Sequence, residues 1–83
     1  MKKMNASTYI NKEKSLIDFE YKIIEMISEV RKEKGISQRA LCKMINMKQP
    51  YLVKIENKKV SPSLNTLLKI ITALDLEIKI VKN

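Results

Sequence analysis

Histidine and tryptophan are absent from this chain of 83 residues, and cysteine and glycine occur once each. A lone cysteine, Cys42, cannot close an internal disulfide, and without histidine it cannot form a Cys–His nucleophile pair or a zinc site of the usual kinds. The sequence also has no obvious cluster of carboxylates that would hold a metal ion for a nuclease. We therefore interpret Cys42 as a small packing residue and expect no enzyme activity, no cofactor and no bound metal.

Long hydrophobic runs are missing as well. No stretch approaches the ~18 apolar residues of a membrane span, and the early lysines are not followed by the apolar segment of a secretory signal. We expect a cytoplasmic protein without a membrane partner. The length corresponds to one compact domain, near the size at which association commonly adds stability.

Two short amphipathic helices are predicted within Gln38–Asn57. Leu41 and Ile45 lie four residues apart on one helix, and Leu52 and Ile55 lie three apart on the next, so each helix has an apolar stripe that can face the other. This pattern is typical of a helix-turn-helix. It also fits two packed helices in a small bundle whose basic face is merely solvated.

The residues between and around these helices favour a tight crossing. Cys42 is small enough for close helix contact, and Asn46 tolerates the positive φ that a sharp turn needs. Ser37 is a suitable N-cap for the first helix, and Pro50 suits the first turn of the second. The start of the second helix is polar and contains Lys48, Gln49, Tyr51 and Lys54, a composition suited to base edges and phosphates.

Acidic residues are scarce in the segment that contains the two predicted helices, residues 35–59. The net charge of +8 divides into +3 for residues 1–14, −1 for residues 15–34, +5 for residues 35–59 and +1 for residues 60–83. A basic excess centred on one candidate groove-binding unit indicates a polyanionic partner. Nucleic acid is therefore the leading partner class.

The remaining chain predicts two more helices and a mainly α fold. One helix runs from about Leu16 to Lys34, opened by a Ser15–Asp18 capping box and ended by Gly35. A last helix is opened by Ser61 and Pro62, and its predicted apolar stripe consists of Leu64, Leu67, Leu68, Ile71 and Leu74. We divide the chain into a basic N-terminal tail, residues 1–14, and a helix-turn-helix domain, residues 15–83.

A C-terminal strand is predicted over residues 76–81. Leu76, Ile78 and Ile80 alternate with other residues, so the hydrophobic period changes from 3.6 to 2. A single strand in an otherwise helical chain lacks a hydrogen-bonding partner. We expect these three residues to mediate a homodimer through antiparallel pairing with the same strand of a second copy. The alternatives are a frayed tail or a fifth helix.

A family resemblance covers residues 31–78, RKEKGISQRALCKMINMKQPYLVKIENKKVSPSLNTLLKIITALDLEI. This stretch resembles the lambdoid-repressor-like helix-turn-helix proteins of the Xre family, most clearly in EKGISQ, KIENKKVSPSL and LLKIITAL. The resemblance implies a lambda-repressor-like bundle of about four helices and a bacterial, nucleoid-associated homodimer. It further implies a transcriptional repressor that binds an inverted repeat of double-stranded DNA in its own promoter.

Within the family, the N-terminal extension and the C-terminal strand are similar to antitoxins of the HigA or HipB kind. That similarity implies autoregulation of a toxin–antitoxin operon and a small ribonuclease-type toxin as a partner. Two alternatives stay open: a free-standing Xre-family regulator without a toxin, and a module that chiefly neutralises a toxin through residues 1–14 and the first helix.

The resemblance also implies roles for single residues. Gln49, Pro50 and Lys54 match base-facing positions, where Gln49 suits adenine, Lys54 suits guanine and Pro50 suits a thymine methyl. The positions implied to contact phosphate are Gln38, Arg39, Lys48, Tyr51, Asn57, Lys58 and Lys59. We interpret Glu56 as structural and expect it to pair with a basic neighbour such as Arg39.

Four positions depart from the family pattern. Lys48 replaces the usual Ser or Thr cap, which removes a capping oxygen worth ~1 kcal/mol. Asn46, Lys58 and Asp75 replace frequent glycines at turns. Asn and Asp suit such turns, whereas lysine does not.

Overall fold

Four helices and two short strands make up the computed structural model, which describes residues 3–5 and 13–82. The elements are β1 Lys3–Asn5, α1 Glu13–Glu33, α2 Gln38–Ile45, α3 Gln49–Glu56, α4 Leu64–Ala73 and β2 Glu77–Lys79. The predicted mainly α fold with four helices and a C-terminal strand is confirmed. None of the described helices is long and apolar enough to cross a membrane.

One apolar core joins all four helices. Its most deeply buried side chains are Ile27 of α1, Leu41 of α2, Leu52 and Ile55 of α3, Ile70 of α4 and Leu74 just beyond it. The stripes predicted for α2 and α3 therefore face each other as expected. Burial of each such side chain contributes roughly 1.5–3 kcal/mol.

The predicted stripe of α4 is partly wrong. Leu64 is 68% exposed and Leu68 is 42% exposed, whereas Ile70, which was not in the predicted stripe, is fully buried. The helix carries apolar residues on more than half of its circumference, so the sequence offers two overlapping stripes. The side of α4 with Ile70, Ile71 and Leu74 packs on the core, and the side with Leu64 and Leu68 does not.

Two predicted helix starts also differ from the structure. Helix α1 begins at Glu13, so Ser15 lies inside the helix and is not an N-cap. An acidic residue is favourable in the first turn because the helix dipole is positive there. Helix α4 is capped by Ser63, whose Oγ accepts a hydrogen bond from the Thr66 N–H at 3.2 Å, instead of being opened by Ser61 and Pro62.

The turns of the domain depend on residues with positive φ. Gly35 ends the turn after α1 at φ 69°, and Asn46, Lys58 and Asp75 have φ values of 55°, 61° and 57°. The positive φ predicted at Asn46 is confirmed. Lys58 adopts a conformation that costs a lysine roughly 1–2 kcal/mol, since only glycine and, to a lesser degree, Asn and Asp adopt it readily.

The C-terminal strand has a partner within the chain, so the prediction of a solitary strand is wrong. β2 is shorter than the predicted strand and pairs in parallel with β1, with Lys3 opposite Glu77 and Asn5 opposite Lys79. The partner was missed because three residues of a polar tail give no alternating pattern. One edge of β2 is thus already occupied.

Leu76 also differs from its predicted place on a dimerisation strand. Its N–H donates to the Ile71 carbonyl in the turn after α4, and its side chain is only 8% exposed in the core. Leu76 therefore stabilises the single chain. Ile78 and Ile80 remain exposed, Ile80 to 86%.

Candidate nucleic-acid interface

The helix-turn-helix consists of α2, the turn at Asn46 and α3. Leu41 and Leu52 are completely buried between the two helices, and Cys42 is buried beside them. Burial, and next the nearby Glu56 carboxylate, raise the pKa of the Cys42 thiol. Cys42 is therefore a protonated packing residue, as the sequence indicates.

The start of α3 presents the three residues implied to read bases. Gln49 and Pro50 are the first two residues of the helix, Lys54 follows just over one turn later, and all three are exposed. An exposed amide, an apolar ring and an ammonium on one short helix can contact the edges of neighbouring base pairs. The structure brings this predicted set together on one element.

The N-terminus of α3 lacks a side-chain cap. Lys48 is in the N-cap position with extended backbone angles, but its side chain makes no capping hydrogen bond, and the first turn of α3 has no acidic residue. The positive end of the helix dipole is therefore reinforced by an ammonium instead of being neutralised. An anion such as a DNA phosphate would be favoured at this position.

Replacing Lys48 by serine is expected to raise the free energy of unfolding by ~1 kcal/mol, because a hydroxyl oxygen at the N-cap can accept a hydrogen bond from a backbone N–H in the first turn of α3. The resemblance implies a phosphate contact for Lys48, so the same change is expected to weaken binding to duplex DNA and to reduce the salt slope by about one. Urea denaturation and fluorescence anisotropy at several salt concentrations measure the two effects.

Lys43→Ser is the matched control for stability, since Lys43 is an exposed lysine in the last turn of α2, where a serine cannot act as an N-cap. It should not stabilise the protein, because a cation is favourable at a helix C-terminus. Equal stability changes in the two variants would contradict a capping role for the serine.

A buried ion pair holds the two ends of the helix-turn-helix against α1. Arg31 Nε donates to Glu56 Oε2 at 2.8 Å, Nη2 donates to Glu56 Oε1 at 2.9 Å, and Nη1 donates to the Ile36 carbonyl at 2.8 Å. Both side chains are under a tenth exposed. The prediction that Glu56 pairs with Arg39 is thus wrong. The partner of Glu56 is Arg31, and Arg39 is exposed on α2.

Gln38 completes this network. Its Nε2 donates to Glu56 Oε1 at 2.9 Å, so the first residue of α2 is fixed to the last residue of α3. Burial alone raises the pKa of the Glu56 carboxyl, but the hydrogen bonds from Arg31 and Gln38 and the charge of Arg31 outweigh it and hold the pKa below its usual range. Gln38, implied to contact phosphate, keeps a second amide N–H for that role.

Sequence reasoning missed Arg31, although a signal was present. Arg31 follows Val30 and lies four residues after Ile27, so it continues the buried stripe of α1. A charged residue on an apolar stripe predicts a buried partner, because burying an unpaired charge is expensive.

The loop after α3 places the remaining residues implied to contact phosphate. Asn57 and Lys59 are exposed, but Lys58 lies against α1, with its Nζ 3.2 Å from Glu25 Oε2 and 5.1 Å from the centre of the Tyr21 ring. Ser61 Oγ also donates to Glu20 Oε1 on α1. Lys58 is therefore tied to α1, although it is exposed like Lys48, Tyr51 and Lys59.

No group of three or more His, Cys, Asp or Glu side chains within the described residues could hold a metal ion. The polar groups implied to contact DNA are amides, ammonium groups, the Arg39 guanidinium and the Tyr51 phenol. They can donate hydrogen bonds to phosphate or to base edges.

Comparison with known proteins identifies a family and a relative. A sequence model of the helix-turn-helix family HTH_3 matches residues 27–81. The "ImmF control region 10 kDa protein" of Bacillus phage phi105 is 34% identical over 61 residues, which cover 74% of this chain and 68% of that protein. No solved structure matches the chain at a significant level.

Proposed function

We propose a function for this chain from the premise that it belongs to the HTH_3 family of helix-turn-helix proteins, which are DNA-binding transcriptional regulators and not enzymes. The proposed function is that of a repressor that binds an inverted repeat of double-stranded DNA as a homodimer. The observation that carries the proposal is the exposed, basic and uncapped start of α3. A recognition helix docks by this end in the major groove. The +5 charge of residues 35–59 supports DNA as its ligand.

Contacts to DNA divide into those that read bases and those that position the protein. We assign base reading to Gln49, Pro50 and Lys54, and phosphate contacts to Gln38, Arg39, Lys48, Tyr51, Asn57 and Lys59. Lys58 can contact a phosphate only after its Nζ separates from the Glu25 carboxylate. Its contribution to DNA affinity should therefore be smaller than that of Lys59.

The experiment that tests base reading is selection of binding sites from a randomised duplex library by the parent protein and by Gln49→Ala. The variant should lose its preference at one position of each half-site and about 1–3 kcal/mol of discrimination there, because a bidentate amide contact with adenine is removed. An inverted repeat among the parent's selected sites would support the homodimer.

Lys59→Ala is the matched control. It should weaken binding to all duplexes alike and lower the salt slope by about one, since phosphate contacts carry no sequence information. If Gln49→Ala leaves every base preference unchanged, Gln49 does not read a base. If the parent binds duplex DNA without any preference, the proposed repressor function is wrong.

The homodimer is proposed to form through the free edge of β2, the edge that does not pair with β1 or with any other described strand. In antiparallel pairing centred on Ile78, Glu77 of one copy lies opposite Lys79 of the other, so the segment is complementary in charge to itself. The same pairing brings Ile80, the most exposed large apolar side chain of the described region, alongside the second copy. Because β1 occupies the other edge of β2, the pairing uses both edges of β2 and gives a four-stranded sheet with β1 of each copy on the outside.

The phi105 relative favours a free-standing regulator, since its name describes a phage control region. The antitoxin function of the HigA or HipB kind is the alternative, supported by the strand after α4 and by the additional segment before α1. It requires a small ribonuclease-type toxin encoded on the same transcript. Inhibition of that protein by this chain would establish the antitoxin role, and a transcript without such a gene would leave the free-standing regulator.

A further inference from the structure

An apolar groove lies between the second half of α2 and α4. Its volume is about 610 Å³, and its lining includes the apolar side chains of Met44, Ile45, Leu68 and Ala73. Met44 is 56% exposed, and Leu64, one helical turn before Leu68, is exposed more fully still. A contiguous group of large exposed apolar side chains in a small soluble domain indicates an interaction surface.

The charge around this groove is positive. A neighbouring groove of about 360 Å³ shares Ile45, Asn46 and Lys69 with the first and extends to Lys48 and Tyr51 at the start of α3. Lys48 and Lys69 are the charged residues that the described part of the chain contributes to the two linings. The combined surface therefore has an apolar floor and a cationic end beside the recognition helix.

The apolar part of this surface is suited neither to DNA nor to a second copy of the chain. The polar part of the lining, Asn46, Asn65, Lys69 and Thr72, can donate hydrogen bonds to an anion, but the side chains of Met44, Ile45, Leu68 and Ala73 cannot. In a two-fold contact between two such surfaces, both linings would contribute Lys48 and Lys69 and neither would contribute an acidic residue, which opposes association. The free edge of β2 is moreover the proposed site of the second copy.

We propose that the α2–α4 groove binds an acidic amphipathic helix of a partner protein. Apolar side chains of that helix fill the space beside Met44 and Leu68, as in other helix-in-groove complexes. Its carboxylates pair with Lys48 and Lys69. Because Lys48 is also assigned to a DNA phosphate, which rests on the proposed DNA-binding function, the partner and DNA exclude each other and the partner acts as an antagonist of DNA binding.

The test uses a peptide of about 15 residues with leucines along one face and glutamates elsewhere, and the peptide is stapled because a free helix of this length is marginal in water. Binding is followed by NMR of the full chain labelled on its methionine methyl groups. Met44 lies in the groove, whereas Met26, which packs against the core from α1, is the internal reference. We expect a saturable shift of the Met44 methyl signal, no shift at Met26, and displacement of a fluorescent duplex by the peptide.

Two further peptides separate the two parts of the proposal. A peptide with lysine in place of glutamate tests the charge, and a peptide with serine in place of leucine tests the apolar floor. Each should bind at least about fivefold more weakly. Leu68→Ala should weaken the glutamate–leucine peptide to a similar degree, whereas Leu16→Ala, an exposed leucine on α1, should leave it unchanged.

The proposal is overturned if the Met44 signal does not move at peptide concentrations up to about 1 mM, if the lysine peptide binds equally well, or if the bound glutamate–leucine peptide leaves the duplex in place. A protein that binds the peptide but no duplex would instead contradict the proposed repressor function. The two failures are therefore distinguishable.

Discussion

Replacing Glu56 by alanine is expected to lower the free energy of unfolding by about 3–5 kcal/mol, the range found when one partner of a buried ion pair is removed. In Glu56→Ala the Arg31 guanidinium stays buried without its carboxylate, and the Gln38 amide also loses its acceptor. A small domain is commonly stable by only about 5–15 kcal/mol. Urea denaturation at neutral pH measures the loss, and DNA binding should fall with the folded fraction.

Lys34→Ala is the matched control, because Lys34 forms an exposed pair with Asp75 at 3.9 Å. Exposed pairs contribute about 0–1 kcal/mol, so this variant should unfold almost like the parent. A loss below about 1 kcal/mol in Glu56→Ala would show that water replaces the lost partner, contrary to the packing around Arg31.

The pH dependence of stability provides a second measurement of the same pair. The pKa of Glu56 is lower in the folded chain than its ordinary value of 4.5. The stabilisation of the fold by the ionised Glu56 carboxylate is therefore fully present above the pKa that Glu56 has in the unfolded chain. It is lost as the pH falls through the pKa that Glu56 has in the folded chain. Glu56→Gln should show a shallower loss of stability over this acidic range than the parent, because glutamine does not titrate.

Much of the helix-turn-helix could be predicted from the sequence because its determinants are local. Ser37 accepts a hydrogen bond from the Ala40 N–H and caps α2, Asn46 makes the turn with positive φ, and Pro50 lies in the first turn of α3. Each of these features depends on the residue type and its immediate neighbours. The missing cap at Lys48 was predicted for the same reason.

The features that could not be predicted depend on packing between distant segments. Arg31 and Glu56 are 25 residues apart, and their pairing follows from how α1 crosses the end of α3. Helix α4 has two apolar sides, and only the packed structure decides that Leu68 is left exposed. The pairing of Lys3–Asn5 with β2 joins the two ends of the domain, and a three-residue parallel strand gives no periodic signal.

Reversing one charge in β2 is expected to weaken the proposed dimer by about tenfold to a hundredfold. Glu77→Lys places lysines opposite each other across the two-fold axis, and Lys79→Glu places glutamates opposite each other, so two attractive cross-strand pairs become repulsive in either variant. Each such pair changes by up to about 1 kcal/mol in each direction. Sedimentation velocity measures the dimer, and anisotropy on the selected inverted repeat measures the loss of bivalent DNA binding.

Mixing the two variants should restore the dimer, because the two lysines in β2 of the Glu77→Lys chain then lie opposite the two glutamates in β2 of the Lys79→Glu chain. Recovery in the mixture cannot arise from misfolding of either variant, since each chain is unchanged by mixing. Lys82→Glu, with the same charge change outside the strand, should dimerise like the parent. If the mixture dimerises no more strongly than either variant alone while Lys82→Glu dimerises like the parent, the dimer contact lies away from the free edge of β2. Another contact between the two copies would then have to hold the two recognition helices in successive major grooves about 34 Å apart.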